Sequence, residues 1–259
     1  GIISSTGMDR YNVKVSADTK LTNNWSSGFT ANYITTSIDK AVTSGNGLLR
    51  TVYAAPPSYD LAGIPSHVDG NPYTQNSFRG SFDNAYWAME NNKFTEDTNR
   101  FFGNVYASYQ TDFGTTNHKL NAKYMVGVDA YTTHYVDSYG YGSNTGGGRG
   151  QIENYGWTNA TYNSLLTINY DWRINEDWGL NAVLGNEIIQ SNRKKYYEYG
   201  TNYNFPGWNH INNATTQQTE EETWKNRTVG FFGNVSASYK NMLYLTLTGR
   251  QDYVSNMPR

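Results

Sequence analysis

The stretch Ala122-Lys123-Tyr124-Met125-Val126-Gly127-Val128-Asp129-Ala130 divides cleanly between two surfaces. Ala122, Tyr124, Val126, Val128 and Ala130 fall on one side, and Lys123, Met125, Gly127 and Asp129 on the other. Successive side chains of a strand point to opposite faces, so the stretch reads as a β-strand with an apolar and a polar surface. The apolar side carries no charge and the polar side carries two.

Eight segments of this kind occur, arranged as four hairpins. The first, residues 10–20, sets Tyr11, Val13, Val15 and Ala17 against Asn12, Lys14, Ser16 and Asp18. Thr22-Asn23-Asn24 turns it into residues 25–38, where Trp25, Phe29, Ala31 and Tyr33 oppose Ser26, Gly28, Thr30 and Asn32. The third segment, 100–111, carries Phe101, Val105, Ala107 and Tyr109, and a turn at 113–117 joins it to the strand quoted above. The fifth places Tyr162, Leu166, Ile168, Tyr170 and Trp172 on one side. After Asn175-Glu176-Asp177, the sixth shows Trp178, Leu180, Ala182 and Leu184. The seventh shows Phe231, Val235, Ala237 and Tyr239, and the eighth, past Lys240-Asn241, shows Leu243, Leu245 and Leu247. Phe101-Phe102-Gly103-Asn104-Val105 recurs as Phe231-Phe232-Gly233-Asn234-Val235, which predicts two strands in the same environment rather than a solenoid.

Length and composition bound the alternatives. The chain has 259 residues, 16% charged and 15% aromatic, with a net charge of -2. Its mean hydropathy of -0.72 comes from Asn, Ser, Thr, Gly and Tyr. The small net charge argues against an electrostatic grip on nucleic acid. The absence of cysteine excludes a disulfide framework and thiol catalysis. No apolar run approaches the ~18 residues of a membrane helix, and the opening residues do not form a signal peptide. Both ends read as cuts through a longer polypeptide.

A soluble sandwich also alternates, but three features favour a wall between lipid and water. The segments run about 10–14 residues, longer than the ~5–6 of soluble sheets and near the length of a transmembrane strand. The turns after the first, third, fifth and seventh segments are short, whereas the other connections, about 39–99, 135–158 and 196–225, are long. Trp25, Tyr109, Trp172, Trp178 and Tyr239 gather beside the short turns, where an interfacial aromatic girdle belongs. Lys14, Asp18, Lys123, Asp129, Asp171, Arg173, Glu187, Lys240, Arg250 and Asp252 all fall on the opposite faces. The expected fold is therefore all-β, an antiparallel transmembrane β-barrel, with residues 1–259 in one barrel domain.

Three patches bear a family resemblance. Gly1-Ile2-Ile3 with Asp9-Arg10-Tyr11, Asn99-Arg100-Phe101, and the run from Ser238 through Tyr239-Lys240-Asn241 to Arg250-Gln251-Asp252 resemble segments of the SusC/RagA family of TonB-linked outer-membrane transporters. The match thins at Tyr253-Val254. The resemblance implies about eight strands of a larger, 22-stranded barrel in the cell outer membrane. It also implies a SusD-like surface lipoprotein as lid, TonB acting through a plug that no segment here matches, and import of oligosaccharides or peptides. The alternatives are an autonomous small outer-membrane barrel with a structural or adhesive role, and a secreted carbohydrate-binding β-sandwich.

Loop aromatics are the substrate-binding candidates, because flat rings stack on sugar faces and anchor partners. Tyr53, Tyr59, Tyr73, Tyr86 and Trp87 lie in the first long loop, and Tyr203, Phe205 and Trp208 in the third. Gly146-Gly147-Gly148-Arg149-Gly150 lacks the Gly-Lys-Ser/Thr of a phosphate loop and reads as a flexible outer loop. Glu220-Glu221-Glu222 reads as a solvated loop end. His67, His118, His134 and His210 have no metal-ligand spacing, and no Ser–His–Asp unit is arranged. We expect no cofactor, no metal and no enzymatic activity.

Overall fold

A computed structural model describes residues 3–41, 48–114 and 117–255. Gly1, Ile2, Thr115 and Thr116, and the closing Met257-Pro258-Arg259, lie outside the described residues, so the first resemblance patch and one turn are only partly covered.

The chain forms β1 (Gly7–Lys20), β2 (Trp25–Lys40), α1 (Leu48–Ala54), β3 (His67–Val68), β4 (Asn71–Gln75), α2 (Ala85–Asn91), β5 (Lys93–Thr111), β6 (His118–Tyr139), β7 (Gln151–Arg173), β8 (Trp178–Tyr203), a 3-10 turn (Ile211–Asn213), β9 (Ala214–Tyr239) and β10 (Leu243–Val254). Eight strands make one antiparallel meander in the order β1-β2-β5-β6-β7-β8-β9-β10, and β3 and β4 form a small separate ribbon. Among the described residues no helix is long and apolar enough to cross a membrane.

The four hairpins appear where the alternation placed them. Two of the tight turns are built by side chains that substitute for the ladder. Thr22 Oγ1 accepts from the amides of Asn24 (3.2 Å) and Trp25 (3.0 Å). Asn175 Oδ1 accepts in the same way from Asp177 and Trp178, both at 2.9 Å. Lys240 and Asn241 take the left-handed conformation, with φ of 51° and 54°. Lys240 thus belongs to the turn rather than to a strand face, and its amide donates to Asp177 O of the neighbouring turn (2.7 Å).

Register fixes the two faces. Tyr33, Phe101, Ala130 and Ala160 lie on one row through the pairs Tyr33↔Phe101, Phe101↔Ala130 and Ala130↔Ala160. A slip of one residue would move every side chain to the other face. The repeated Phe-Phe-Gly-Asn-Val sequence occupies matching positions. Tyr109 of β5 packs on Trp25 with ring centres 5.0 Å apart, and Tyr239 of β9 packs on Trp178 at 4.7 Å.

The strands exceed their expected lengths. β7 has 23 residues, and β8 and β9 have 26 each. The connections expected at 135–158 and 196–225 therefore shrink to residues 140–150 and 204–213. The physical reason is that residues 135–139, 151–161 and 191–203 carry Tyr, Asn, Thr and charge on both sides. Alternation stops there, but the backbone ladder continues through pairs such as Asp137↔Glu153 and Tyr155↔Tyr197. The first long connection holds α1, the β3–β4 ribbon and α2.

Gly185 lies opposite Phe232, and a Cβ built on it would stand 2.0 Å from the ring. The ring lies over the glycine and beside the Arg250 guanidinium, 5.7 Å from its centre. Gly185→Val should evict the ring and cost about 1–3 kcal/mol in thermal unfolding of the intact polypeptide. Adding Phe232→Ala should then cost less than the sum of the two single changes.

Candidate functional site

Two regions carry the concentrated polar chemistry: the polar face of the sheet and the layer of loops at its long-connection end.

On the polar face, Arg100 grips Asp129 with two parallel bonds, Nε to Oδ1 at 2.8 Å and Nη2 to Oδ2 at 2.5 Å. The register makes this fork possible, since Arg100 of β5 lies beside Phe102, which pairs with Asp129 of β6. Arg250 reaches both Glu187 (2.8 Å) and Asp252 (2.9 Å). Nearer the short turns, Asn181 Nδ2 donates to Asn169 (2.7 Å) and Asp171 (2.6 Å). Tyr106 OH donates to Asp18 at 2.6 Å while the Lys123 ammonium sits 4.2 Å from its ring centre. A recess of about 780 Å³ lies at this end, with Lys119, Asp171, Arg173 and Tyr244 in its lining.

The loop layer is knit by a buried carboxylate. Asp83 is 3% exposed. Its Oδ1 accepts from Gln75 Nε2 (2.8 Å) and the Asn144 amide (2.7 Å), and its Oδ2 from Ser143 Oγ (2.6 Å). Its backbone carbonyl accepts from Thr51 Oγ1 of α1 at 2.7 Å. The next residue, Asn84, caps α2 through its side-chain oxygen, which accepts from the amides of Tyr86 and Trp87. Asp83 thus joins α1, β4 and the glycine-run loop. That loop is tied down as well. Gly142 (φ +100) and Gly150 (φ +74) have no room for a side chain, because a Cβ would lie 2.0 Å from Tyr73 O and 2.5 Å from the Tyr203 ring.

The candidate aromatics separate by burial. Trp87 is wholly buried, with its indole N–H donating to Pro72 O at 2.8 Å. Tyr203 is wholly buried against Ile152 and Ala214, with Val136, Tyr141 and Ile211 around them. Both rings therefore pack the loop layer and present no face to a solute. Tyr59 is half-buried against Phe78, ring centres 5.5 Å apart. Tyr53, Tyr86, Phe205 and Trp208 are exposed. Trp208 stacks between Phe205 (5.8 Å) and His210 (5.0 Å). The first and third loops meet through Asn209, whose Nδ2 donates to Asn91 O at 3.0 Å. Of the Glu220–Glu222 run, Glu221 pairs with Lys194 at 2.7 Å and Glu222 with Lys195 at 3.8 Å. Among the described residues no group of three or more His, Cys, Asp or Glu could hold a metal.

Asp83 escapes sequence reasoning, since a lone Asp between Phe82 and Asn84 looks like a turn residue. The neighbouring Asn84, three residues ahead of Trp87 in a helix-start pattern, is the only local signal.

No family model and no curated protein matches the sequence. Solved structures do. The RagAB peptide importer in its "open-open" state is similar at a TM-score of 0.74 and 14% identity, over 96% of this chain and 28% of that one. The RagAB peptide transporter gives 0.73 and 13%, over 98% and 28%. The "closed-closed" importer gives 0.72 and 13%, over 96% and 28%. The eight strands are a length of β-barrel wall. At this identity the likeness establishes fold alone, and the chain spans about 28% of the chains it matches. Two of those structures are named as a peptide importer and one as a peptide transporter.

Substitutions at two positions probe the loop layer. Asp83→Ala strands three donors and should cost about 3 kcal/mol, with faster amide exchange across 140–150. Burial pushes the Tyr203 phenol up to about 12, from an ordinary value near 10. Its stabilising packing is then complete below pH ~10 and lost as pH rises through about 12. Tyr203→Ala should cost about 3–5 kcal/mol. Tyr203→Phe keeps the packing of the ring and should cost under about 1.5 kcal/mol.

Proposed function

We propose that residues 1–259 form part of the wall of an outer-membrane importer of the SusC/RagA kind, moving oligosaccharides or peptides. The observation that carries this reading is the exposed apolar face. On interior strands Leu184, Val105 and Phe231 are 63%, 53% and 53% exposed, and Phe29, Tyr124 and Leu166 share their side of the sheet. Water does not tolerate an apolar surface of that extent, whereas lipid does. The face begins at Trp25–Tyr109 and Trp178–Tyr239 beside the short turns and carries no charge over roughly the 9–11 residues a tilted strand needs to cross a bilayer.

On this reading the polar face lines the lumen, and the Arg100–Asp129 and Arg250–Glu187 pairs sit within it. The strand ends beyond the bilayer and the loop layer form an outer vestibule. Tyr53, Tyr86, Phe205 and Trp208 are the exposed aromatics that meet solute or a SusD-like surface lipoprotein, and energy enters from TonB through a plug domain. The likeness to structures named as peptide importers supports this reading over a small autonomous barrel or a secreted sandwich. No enzymatic step is assigned to it.

The test is reconstitution of the intact polypeptide. It should leave membranes only in detergent and, in liposomes, admit tripeptides or short oligosaccharides once its plug is displaced. A native protein that is monomeric in detergent-free buffer sinks the proposal. Neighbouring positions provide the sharper comparison. Leu166→Arg on the apolar face should cost about 2–4 kcal/mol and deplete the membrane-inserted fraction. Leu165→Arg faces the other way, across from Glu187, and should insert like the parent.

A further inference from the structure

The apolar face changes character abruptly along β8 and β9. Upward from Tyr239 at the short-turn end, the residues of β9 on that face are Ala237, Val235, Gly233, Phe231 and Val229, none of them charged. Residues 229–239 thus match the roughly 9–11 of a tilted strand crossing a bilayer. The next two residues on the same face are Arg227 and Lys225, both exposed. Their register partners on β8 are Gln190 and Asn192, which follow Ile188, the partner of Val229. Tyr253 of β10 completes that last apolar row as the other partner of Val229. The border between the apolar and the cationic rows is one step of the ladder wide.

This border holds more donors than acceptors. Arg227 Nε donates to Gln190 Oε1 at 2.9 Å, and Gln190 Nε2 donates in turn to Asn192 Oδ1 at 3.3 Å. Among the described residues the Asn192 amide nitrogen and the Lys225 ammonium meet no acceptor, and no carboxylate reaches Arg227. The neighbouring cations differ. Lys194, one row further from the apolar stretch, is matched by Glu221 at 2.7 Å. Lys195 reaches Glu222, and Arg193 lies on the opposite face, 5.5 Å from the ring centres of Trp157 and Trp224. At the short-turn border Lys240 is paired with Asp177 at 3.7 Å. The unmatched positive charge of this hairpin therefore lies at its long-loop border. Arg227 and Lys225 are two residues apart on one strand face, about 7 Å along it. Two cations and a spare amide donor, directly above an apolar surface, are complementary to a ligand with an anionic head and an apolar tail.

We propose that Arg227 and Lys225, with Gln190 and Asn192, form a docking surface for the phosphate headgroup of a lipid in the leaflet on the long-loop side. A guanidinium offers phosphate oxygens a fork of N–H donors, and the ammonium adds a point charge beside it. Basic side chains at a bilayer surface attract anionic headgroups. The acyl chains of such a lipid lie along Ile188, Val229, Phe231 and Tyr253, which share the face below the cations. The inference rests on the apolar face meeting lipid, and it adds to that reading a particular headgroup at a particular place.

The experiment is native mass spectrometry of the intact polypeptide in detergent, titrated with phosphatidic acid, phosphatidylcholine and inorganic phosphate. Phosphatidic acid should be retained about tenfold or more tightly than phosphatidylcholine, with affinity falling as salt rises. Inorganic phosphate at equal concentration should not displace it. Lys225→Gln with Arg227→Gln removes charge from two exposed side chains that bear no ion pair, so the variant should fold and insert like the parent. It should retain phosphatidic acid about tenfold or more weakly, whereas Lys14→Gln on the polar face should retain it as the parent does. Equal retention of the two lipids, displacement by inorganic phosphate, an unchanged double variant, or an equal loss in Lys14→Gln overturns the docking surface. Solubility separates this from the transporter reading. A polypeptide that needs detergent but retains phosphatidic acid without Lys225 and Arg227 defeats only the docking surface. One that is soluble without detergent, yet depends on those two residues for retention, defeats only the membrane wall.

Discussion

One constraint runs through the structure: a single ladder of eight strands carries an apolar face and a polar face. Backbone N–H and C=O groups away from water must be paired within the structure, and a continuous antiparallel ladder does so without regard to side chains. That frees the side chains to divide by face. The same ladder that carries Leu184 outward, 63% exposed, carries Glu187 inward to Arg250. There is little conventional core: the wholly buried large side chains are Trp87 and Tyr203, both under the loops. The sheet's cohesion therefore comes from hydrogen bonds and cross-strand pairs.

That constraint explains the pairings on the polar face. A charge there also borders side chains of the adjacent strands. The forked Arg100–Asp129 pair satisfies both groups geometrically and lays the guanidinium 5.0 Å from the Phe102 ring centre. Arg250 repeats the arrangement with Glu187, Asp252 and Phe232. The recurrence of Phe-Phe-Gly-Asn-Val in β5 and β9 is thus a local solution used twice. An apolar Phe faces out, an aromatic ring faces in beside an arginine, and a Tyr meets a Trp at the turn end.

The half of the sheet near the short turns was legible because each residue there serves a single solvent. Tyr124, Val126 and Val128 announce their face, and Thr22 and Asn175 announce their turns. The far half was not. Along 151–161 and 191–203 both faces border water or other side chains, so polarity no longer alternates and the ladder continues unannounced. Burial inside the loop layer was equally hidden. Trp87 and Tyr53 look alike as loop aromatics, and only the fold separates the ring under Pro72 from the one on the open face of α1. Asp83 joins segments about 60 residues apart, as in its bonds to Ser143 and Asn144, a relation that local pattern does not encode.

The overshoot of the strands has its own logic. A bilayer needs about 9–11 residues of tilted strand, yet β8 and β9 run to 26 each. Where alternation stops, other forces must hold the ladder. They are visible as rungs: Lys194–Glu221, Lys195–Glu222, the Tyr135–Tyr155 stack, and the Tyr203 cluster that closes the top. Exposed ion pairs contribute little individually, about 0–1 kcal/mol, so the extension is held by many small terms together with the loop layer. A strand pair that needed only to span lipid would end earlier. Sustaining it with rings and charges builds a polar wall beyond the alternating stretch, where Asp137 and Glu153 are direct cross-strand partners.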